Sequence, residues 1–278
     1  MAEAAEWIGD LGRKWAARIE AMDRQLAPCG TVGLAELGPR PGERILDLGC
    51  GGGPTTLPIA DAVGPGGHVT GADISPDLLA IARRRAAGRG NVDFIEADAG
   101  LHRFTPPPYD ALFSRFGCMF FADPVAAFVN LRGALRPGAR AVMVVWNDPK
   151  ANPWAMVPAR VAAEFLGPAE PMAPGAPGPF GWADPGIFGP ILRGAGFSDV
   201  AWRAAPVEME MGEGDDPDPV ARAVSIACRI GPLGRRLADA PEGAEARLRP
   251  RLAEEFARYV RDGAVRVPGL LWVVTARA

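Results

Sequence analysis

Through the middle of the chain, short apolar runs alternate with amphipathic ones. RILDL (44–48), HVTGAD (68–73), VDFIEAD (92–98), YDALFSRF (109–116) and ARAVMVVW (139–146) are β-rich and bounded by Gly, Pro, Asp or Asn, so each predicts a strand. The stretches between them carry helix starts. Ser75-Pro76, Asp123-Pro124 and Asp184-Pro185 each put a capping side chain before a proline at the first helical position. Arg136-Pro137-Gly138 stops the helix that opens at Pro124. Strands separated by helices of this length imply right-handed crossovers and a mostly parallel sheet, so the fold class is α/β.

The flanks read differently. Apolar positions at Trp7, Leu11, Trp15, Ile19, Met22 and Leu26 have helical spacing, weakened by Gly9 and Gly12. Residues 147–183 are proline-dense and predict little regular structure beyond Val161–Leu166. A helix over 185–194 leads to a strand-like run over 199–211, and GLLWVVTAR (269–277) is another strand. Helical patterns near 218–240 and 244–262 separate those two strands, so the pair is interrupted by an insertion.

Composition narrows the function. The chain has 278 residues, 48% hydrophobic and 23% charged, with a formal net charge of −3, so nothing draws it to a phosphate backbone and no nucleic-acid partner is expected. The opening MAEAAEWIGD lacks a basic start and an apolar core, and no apolar run approaches the roughly 20 residues of a membrane span; the sequence predicts a cytoplasmic protein with no membrane partner. Cys29, Cys50, Cys118 and Cys228 are scattered, and His68 and His102 are isolated, so neither a disulfide framework nor a metal site is expected.

The chemistry concentrates in ILDLGCGGG (45–53), a buried strand running into a glycine turn, with a helix expected from Pro54 to about Val63. In open α/β sheets ligands sit beyond the carboxyl ends of the strands, and glycine lets main chain approach them. A nucleoside-triphosphate loop needs a Lys that is absent here. A dinucleotide fingerprint counted from Gly49 and Gly51 needs a third glycine where Pro54 stands. Asp47, two residues before the first glycine, would repel a pyrophosphate and suits a ligand bearing an ammonium group.

LDLGCGGG resembles the first motif of class I S-adenosylmethionine (SAM)-dependent methyltransferases. Gly71-Ala72-Asp73-Ile74-Ser75 looks like their ribose-binding acidic loop, Glu96-Ala97-Asp98-Ala99 like their adenine-contacting segment, and Leu135-Arg136-Pro137-Gly138 like the turn before their fifth strand, with Ala139 for a second glycine. The resemblance implies a Rossmann-like fold with a seven-stranded, mostly parallel sheet whose last strand is antiparallel, and SAM as cofactor. It implies that Asp47 holds the methionine ammonium, that Gly49, Cys50 and Gly51 form the loop against the ligand, and that Asp73 accepts the ribose hydroxyls. Ile74 would flank the adenine, Asp98 and Ala99 would read its edge, Ser114 would border the site, and Trp15 would close over it. The organisation expected is an N-terminal helical segment (1–37), a SAM-binding domain (38–211 and 264–278), and a substrate cap from the Pro-rich loop (147–183) and the helical insertion (212–263).

Pro106-Pro107-Pro108-Tyr109 nearly matches the motif of amino-group methyltransferases of nucleic acid but precedes the fourth strand, which argues against that substrate. The strand end itself, Ser114-Arg115-Phe116-Gly117-Cys118-Met119-Phe120-Phe121, resembles small-molecule enzymes akin to the ubiquinone/menaquinone-biosynthesis C-methyltransferases. The expected acceptor is a small, aromatic or otherwise apolar metabolite, with Arg115, Phe116, Met119, Trp146 and Trp154 as substrate residues. No general base stands out; Arg115 and His102 are the candidates, and holding the acceptor near the methyl can lower much of the barrier without one. Two rivals remain: a SAM-binding protein repurposed as a lyase, cyclase or non-methylating partner, and an NAD(P)-dependent oxidoreductase. The oligomeric state stays open between monomer and homodimer.

Overall fold

The computed structural model describes residues 2–105 and 108–278. Pro106 and Pro107 of the proline motif lie outside the described residues. The chain opens with helices α1 (Ala2–Ile8), α2 (Asp10–Ala16) and α3 (Ile19–Leu37). Strands and helices then alternate: β1 (Arg44–Leu48), α4 (Thr56–Val63), β2 (His68–Asp73), α5 (Pro76–Arg85), β3 (Val92–Glu96), β4 (Tyr109–Arg115), α6 (Pro124–Gly133) and β5 (Leu135–Trp146). After α7 (Pro153–Leu166) and α8 (Pro185–Gly194) come β6 (Ser198–Met211), the inserted helices α9 (Pro219–Arg229), α10 (Gly231–Ala238) and α11 (Ala244–Ala257), then β7 (Val260–Arg261) and β8 (Ala264–Arg277).

The sheet runs β3-β2-β1-β4-β5-β8-β6, with β1 to β5 parallel and β8 antiparallel to both neighbours. The expected seven strands are therefore joined by one more, since β7 pairs with β8 and makes an eight-stranded sheet among the described residues. That two-residue strand also ends the last inserted helix at Ala257, short of the expected 262. The order reverses between β1 and β4, the crevice where open α/β sheets take ligands.

The β6–β8 pair is longer than expected because β8 begins at Ala264 rather than Gly269. Its pairing with β5 ends at Trp146↔Leu271, whereas its pairing with β6 continues to Met211↔Val265. The ribbon thus overhangs the carboxyl ends of the parallel strands, and its tip carries α9 to α11. The insertion is thereby held at the end of the sheet where the glycine loop lies.

Local chemistry explains several element starts. Asp123, Asp184 and Asp218 each accept a backbone N–H from the first turn of α6, α8 and α9, at 3.0, 2.7 and 2.9 Å. Ser75 does not cap α5; its hydroxyl has no partner, and Asp73 Oδ1 takes the Ser75 N–H instead. Helix α4 starts at Thr56, not Pro54, because Gly51 (φ 54°) and Gly53 (φ 81°) hold the chain left-handed until that point. Arg136-Pro137-Gly138 lies within β5 as an irregularity, the register against β4 jumping from Tyr109↔Leu135 to Ala111↔Arg140.

Candidate functional site

The loops leaving β1, β2 and β4 meet beyond the carboxyl ends of those strands. The loop leaving β1 is fixed by two donations to one carbonyl, Gly49 N and Cys50 N to Ala72 O at 2.8 and 3.2 Å. Gly49 has φ 66°, and a Cβ there would stand 2.7 Å from Gly117 Cα, so this loop and the one leaving β4 touch backbone to backbone. Phe116 makes that contact possible by adopting φ 63°, costly for an aromatic residue, with its N–H bound to Val144 O at 2.9 Å.

Asp47 is fully buried at the head of the loop. Its Oδ2 accepts from Thr55 Oγ1 at 2.9 Å and Thr56 Oγ1 at 2.6 Å, while its buried Oδ1 has no protein partner. Burial pushes its carboxyl up to about 6; the two threonine hydroxyls and Arg115 pull it back, and Asp73 raises it. A buried carboxylate oxygen without a donor is costly in a native fold, and it is the group an ammonium would complete. Asp73 is half-buried at the end of β2, with Oδ2 accepting from Gly51 N at 2.8 Å and Oδ1 from Ser75 N at 2.9 Å. Each of its oxygens keeps a second lone pair, so the carboxylate can still receive two hydroxyls. Asp98 Oδ1 accepts from Gly100 N at 2.9 Å, and the neighbouring Ala99 is buried with its carbonyl held by Asn130.

Other expected residues take mixed places. Cys50 is buried beneath β2, its Sγ 2.9 Å from where a Cβ on Gly71 would lie, and burial pushes its thiol well up. Ile74 is half-buried beside Asp73. Ser114 is fully buried and donates to Leu48 O at 3.0 Å, tying β4 to β1. Trp15 packs on Trp7 at 5.3 Å, and Trp7 on Phe120 at 5.7 Å, while Gly12 of the same helix lies against Ser75; the N-terminal helices thus cross the ends of β2 and β4.

On the other flank, Phe116 stacks on Trp146 at 4.3 Å and 10°, Trp146 meets Trp154 at 4.7 Å, and Trp154 stacks on Phe180 at 5.8 Å. Met119 is 3% exposed and packs in the core, with its carbonyl taken by Gly178 N. His102 is not brought to this end of the sheet: its ring packs edge-on to Phe104, which packs on Tyr109 at the start of β4. Arg115 is half-buried at the end of β4 and donates through Nη1 to Leu26 O at 3.2 Å.

Sequence reasoning missed Thr55 and Thr56, Gln25 and Phe180. Gln25 is 5% exposed on α3 and its Oε1 has no donor, while the buried Nε1 of Trp154 has no acceptor. A polar residue among the apolar positions of the α3 face was the available signal for Gln25. A separate cavity of about 150 Å³ at the seam of α2 with α9 to α11 is lined by Lys14, Arg18, Arg229 and Glu245. Its charges pair with one another or with nearby acids, Arg18–Glu213 at 2.8 Å and Arg229–Glu245 at 3.2 Å, so it lacks the unmet chemistry of the loop site. Among the described residues no cluster of His, Cys, Asp and Glu could hold a metal, and no helix is long and apolar enough to cross a membrane.

Residues 45–138 match a family model described as a methyltransferase domain. The chain is 40% identical over 116 residues to a demethylmenaquinone methyltransferase of Thermus thermophilus, covering 41% of this chain and 52% of that relative. It is 31% identical over 172 residues to a nocamycin O-methyltransferase of Saccharothrix syringae, covering 58% and 61%. The chain therefore matches between half and two thirds of the length of these curated relatives. A solved SAM-dependent methyltransferase of Aquifex aeolicus shares the fold, with a TM-score of 0.50 and 20% identity over 71% of this chain and 92% of its own. The match to a methyltransferase domain begins at the strand leading into the glycine loop and ends at the turn entering the fifth strand, the stretch that holds Asp47, Asp73 and Asp98.

Proposed function

We propose that the protein transfers a methyl group from SAM to a small, aromatic or otherwise apolar acceptor. The observation that carries this reading is the unpartnered Oδ1 of buried Asp47 at the head of the glycine loop. An ammonium answers that atom, and a pyrophosphate does not. When bound, SAM supplies an electrophilic methyl group on a positively charged sulfur.

The roles of the chain's own residues follow from what each atom has left to give. Asp47 takes the methionine ammonium, and Gly49 and Gly51 keep side chains out of the ligand's way. Asp73 receives the ribose hydroxyls on its free lone pairs, Ile74 covers the adenine, and Asp98 with Ala99 borders its edge. Trp15 belongs to the helices that cover the bound cofactor. On the acceptor side, the Phe116–Trp146–Trp154 stack offers flat apolar surface, and Trp154 Nε1 and Gln25 Oε1 offer one donor and one acceptor to a ring substituent. The Pro-rich loop and the helices α9 to α11 serve as the cap that shuts water out. The relatives named for demethylmenaquinone and nocamycin agree with a small organic acceptor. A net charge of −3 argues against nucleic acid, and four free, buried cysteines suit a cytoplasmic setting.

The test is product analysis. Incubation with SAM and a panel of phenols and naphthoquinols, read by mass spectrometry, should give one acceptor with a single added methyl and a matching amount of S-adenosylhomocysteine. Tight S-adenosylhomocysteine binding with no methylated product anywhere in the panel would favour a non-methylating role.

A further inference from the structure

Three residues other than glycine have a left-handed backbone among those described: Asp199, Asp262 and Phe116. Aspartate tolerates that conformation because its short side chain can bond locally, whereas an aromatic residue is strained by it. A glycine that could take the turn freely stands next in the chain, yet Gly117 has φ −85° and the strain falls on Phe116 at φ 63°. Gly117 is needed for room instead. A Cβ on it would lie 2.7 Å from Leu48 O and 2.9 Å from Gly49 Cα, inside the glycine loop.

Phe116 is locked at three points. Its N–H donates to Val144 O at 2.9 Å, the next residue touches the glycine loop, and its ring stacks on Trp146 at 4.3 Å and 10°. Trp146 is itself buried, whereas its two stacking neighbours, Phe116 and Trp154, are half-buried. A ring at the accessible edge of the aromatic stack is therefore tied through its own backbone to the loop that holds the cofactor. Strain of this kind persists only where the surroundings enforce it, and it gathers at sites where it serves function.

We propose that Phe116 is a positioning residue for the methyl acceptor: its ring fixes where the acceptor lies relative to the cofactor, and its strained backbone is kept because it joins that ring to the glycine loop. This rests on the methyl-transfer reading above. A displacement of about 1 Å can cost such a transfer about a hundredfold in rate. The chain thus gives up stability at residue 116 for placement of the acceptor.

Four variants test it, each assayed with the panel acceptor that gains a methyl and titrated with S-adenosylhomocysteine. Phe116→Ala removes the ring and keeps the strain; Phe116→Gly removes both. Unfolding in urea should show the Gly variant to be more stable than the Ala variant, the reverse of the order outside left-handed positions. Both should lose at least tenfold in kcat and keep S-adenosylhomocysteine affinity within twofold. Phe116→Leu, apolar but not flat, should share the loss, and Phe116→Tyr should recover most of the rate. The Leu and Tyr pair carries the test if circular dichroism shows that the Ala or Gly variant does not fold. A Gly variant with wild-type kcat, a Leu variant as fast as Tyr, or a raised KM for the acceptor with unchanged kcat would overturn the positioning role. So would S-adenosylhomocysteine affinity falling as far as kcat, which would make Phe116 a support of the loop. An Ala variant more stable than the Gly variant would remove the strain on which the proposal stands. Wild-type protein that binds S-adenosylhomocysteine but methylates nothing in the panel would bring down methyl transfer, and this proposal with it; failure to bind S-adenosylhomocysteine would bring down the SAM reading itself.

Discussion

The two ends of the sheet are built from the same strands and treat charge in opposite ways. At the amino ends of β1, β4 and β5, polar groups meet polar groups. Arg140 makes a two-pronged pair with Glu43 at 2.7 and 2.8 Å, and Asp110 receives Arg136 at 2.6 Å and Arg44 N at 2.8 Å. At the carboxyl ends, Asp47 Oδ1, Ser75 Oγ, Gln25 Oε1 and Trp154 Nε1 are buried with nothing to bind, and Arg115 has one carbonyl. Native folds leave few such groups; Arg44 Nε at the amino end of β1 is one, but Asp47, Ser75, Gln25 and Trp154 gather at the carboxyl ends, which marks where binding free energy is held back for a ligand. Fold stability is served at one end and recognition at the other.

That contrast can be broken by exchanging the effects. The largest expected effect is at the amino end. Arg140→Met strands Glu43, which is 11% exposed in its side chain, and should cost about 3 kcal/mol of unfolding free energy in urea while leaving S-adenosylhomocysteine affinity within twofold. Gly49→Ala should act on the ligand as well as on the fold. Its new Cβ meets Gly117 Cα at 2.7 Å in a left-handed backbone, so S-adenosylhomocysteine affinity should fall at least a hundredfold, about 2.7 kcal/mol. If Arg140→Met lowered S-adenosylhomocysteine affinity as much as Gly49→Ala does, the two ends would not be separate.

A smaller effect sharpens the role of Asp47. Its carboxyl is raised from 3.8 to about 6 by burial, so between those values the folded protein holds a proton that the unfolded chain has lost. Stability of the ligand-free protein should therefore fall as pH rises through that window. Binding of an ammonium needs the ionised form, so S-adenosylhomocysteine affinity should fall about tenfold for each pH unit below about 6. Asp47→Asn should flatten both profiles and weaken binding at least tenfold at neutral pH. Smallest of all, Trp154→Phe keeps the stack on Trp146 and removes the unanswered N–H; it should raise the KM of the methyl acceptor by a few-fold and leave S-adenosylhomocysteine binding unchanged.

How much of this was legible follows the same division. Strand runs such as RILDL and HVTGAD, the Asp-Pro helix starts and the glycine turn are local, so their residues alone predicted β1, β2, α6, α8 and the loop. Contacts made across the fold left no local trace. Thr55 and Thr56 look like ordinary first-turn residues until the left-handed glycines swing them under Asp47. The φ 63° of Phe116 and the pairing of β8 beyond Leu271 depend on partners distant in sequence, so a strand and a turn were all that could be read there. Periodicity identified α3 as a helix with a buried face, yet it could not say that Gln25 on that face lacks a partner.

The central claim is that the unmet groups at the carboxyl ends of the strands are completed by an adenosine thioether carrying an amino acid. Thermal unfolding with S-adenosylhomocysteine, and separately with NADH, tests it most directly. At about 100 times its Kd a ligand adds about 2.7 kcal/mol to the folded state, several degrees for a chain of this size. The account predicts that rise with S-adenosylhomocysteine and none with NADH. A rise with NADH alone would contradict it and return the glycine loop to a dinucleotide.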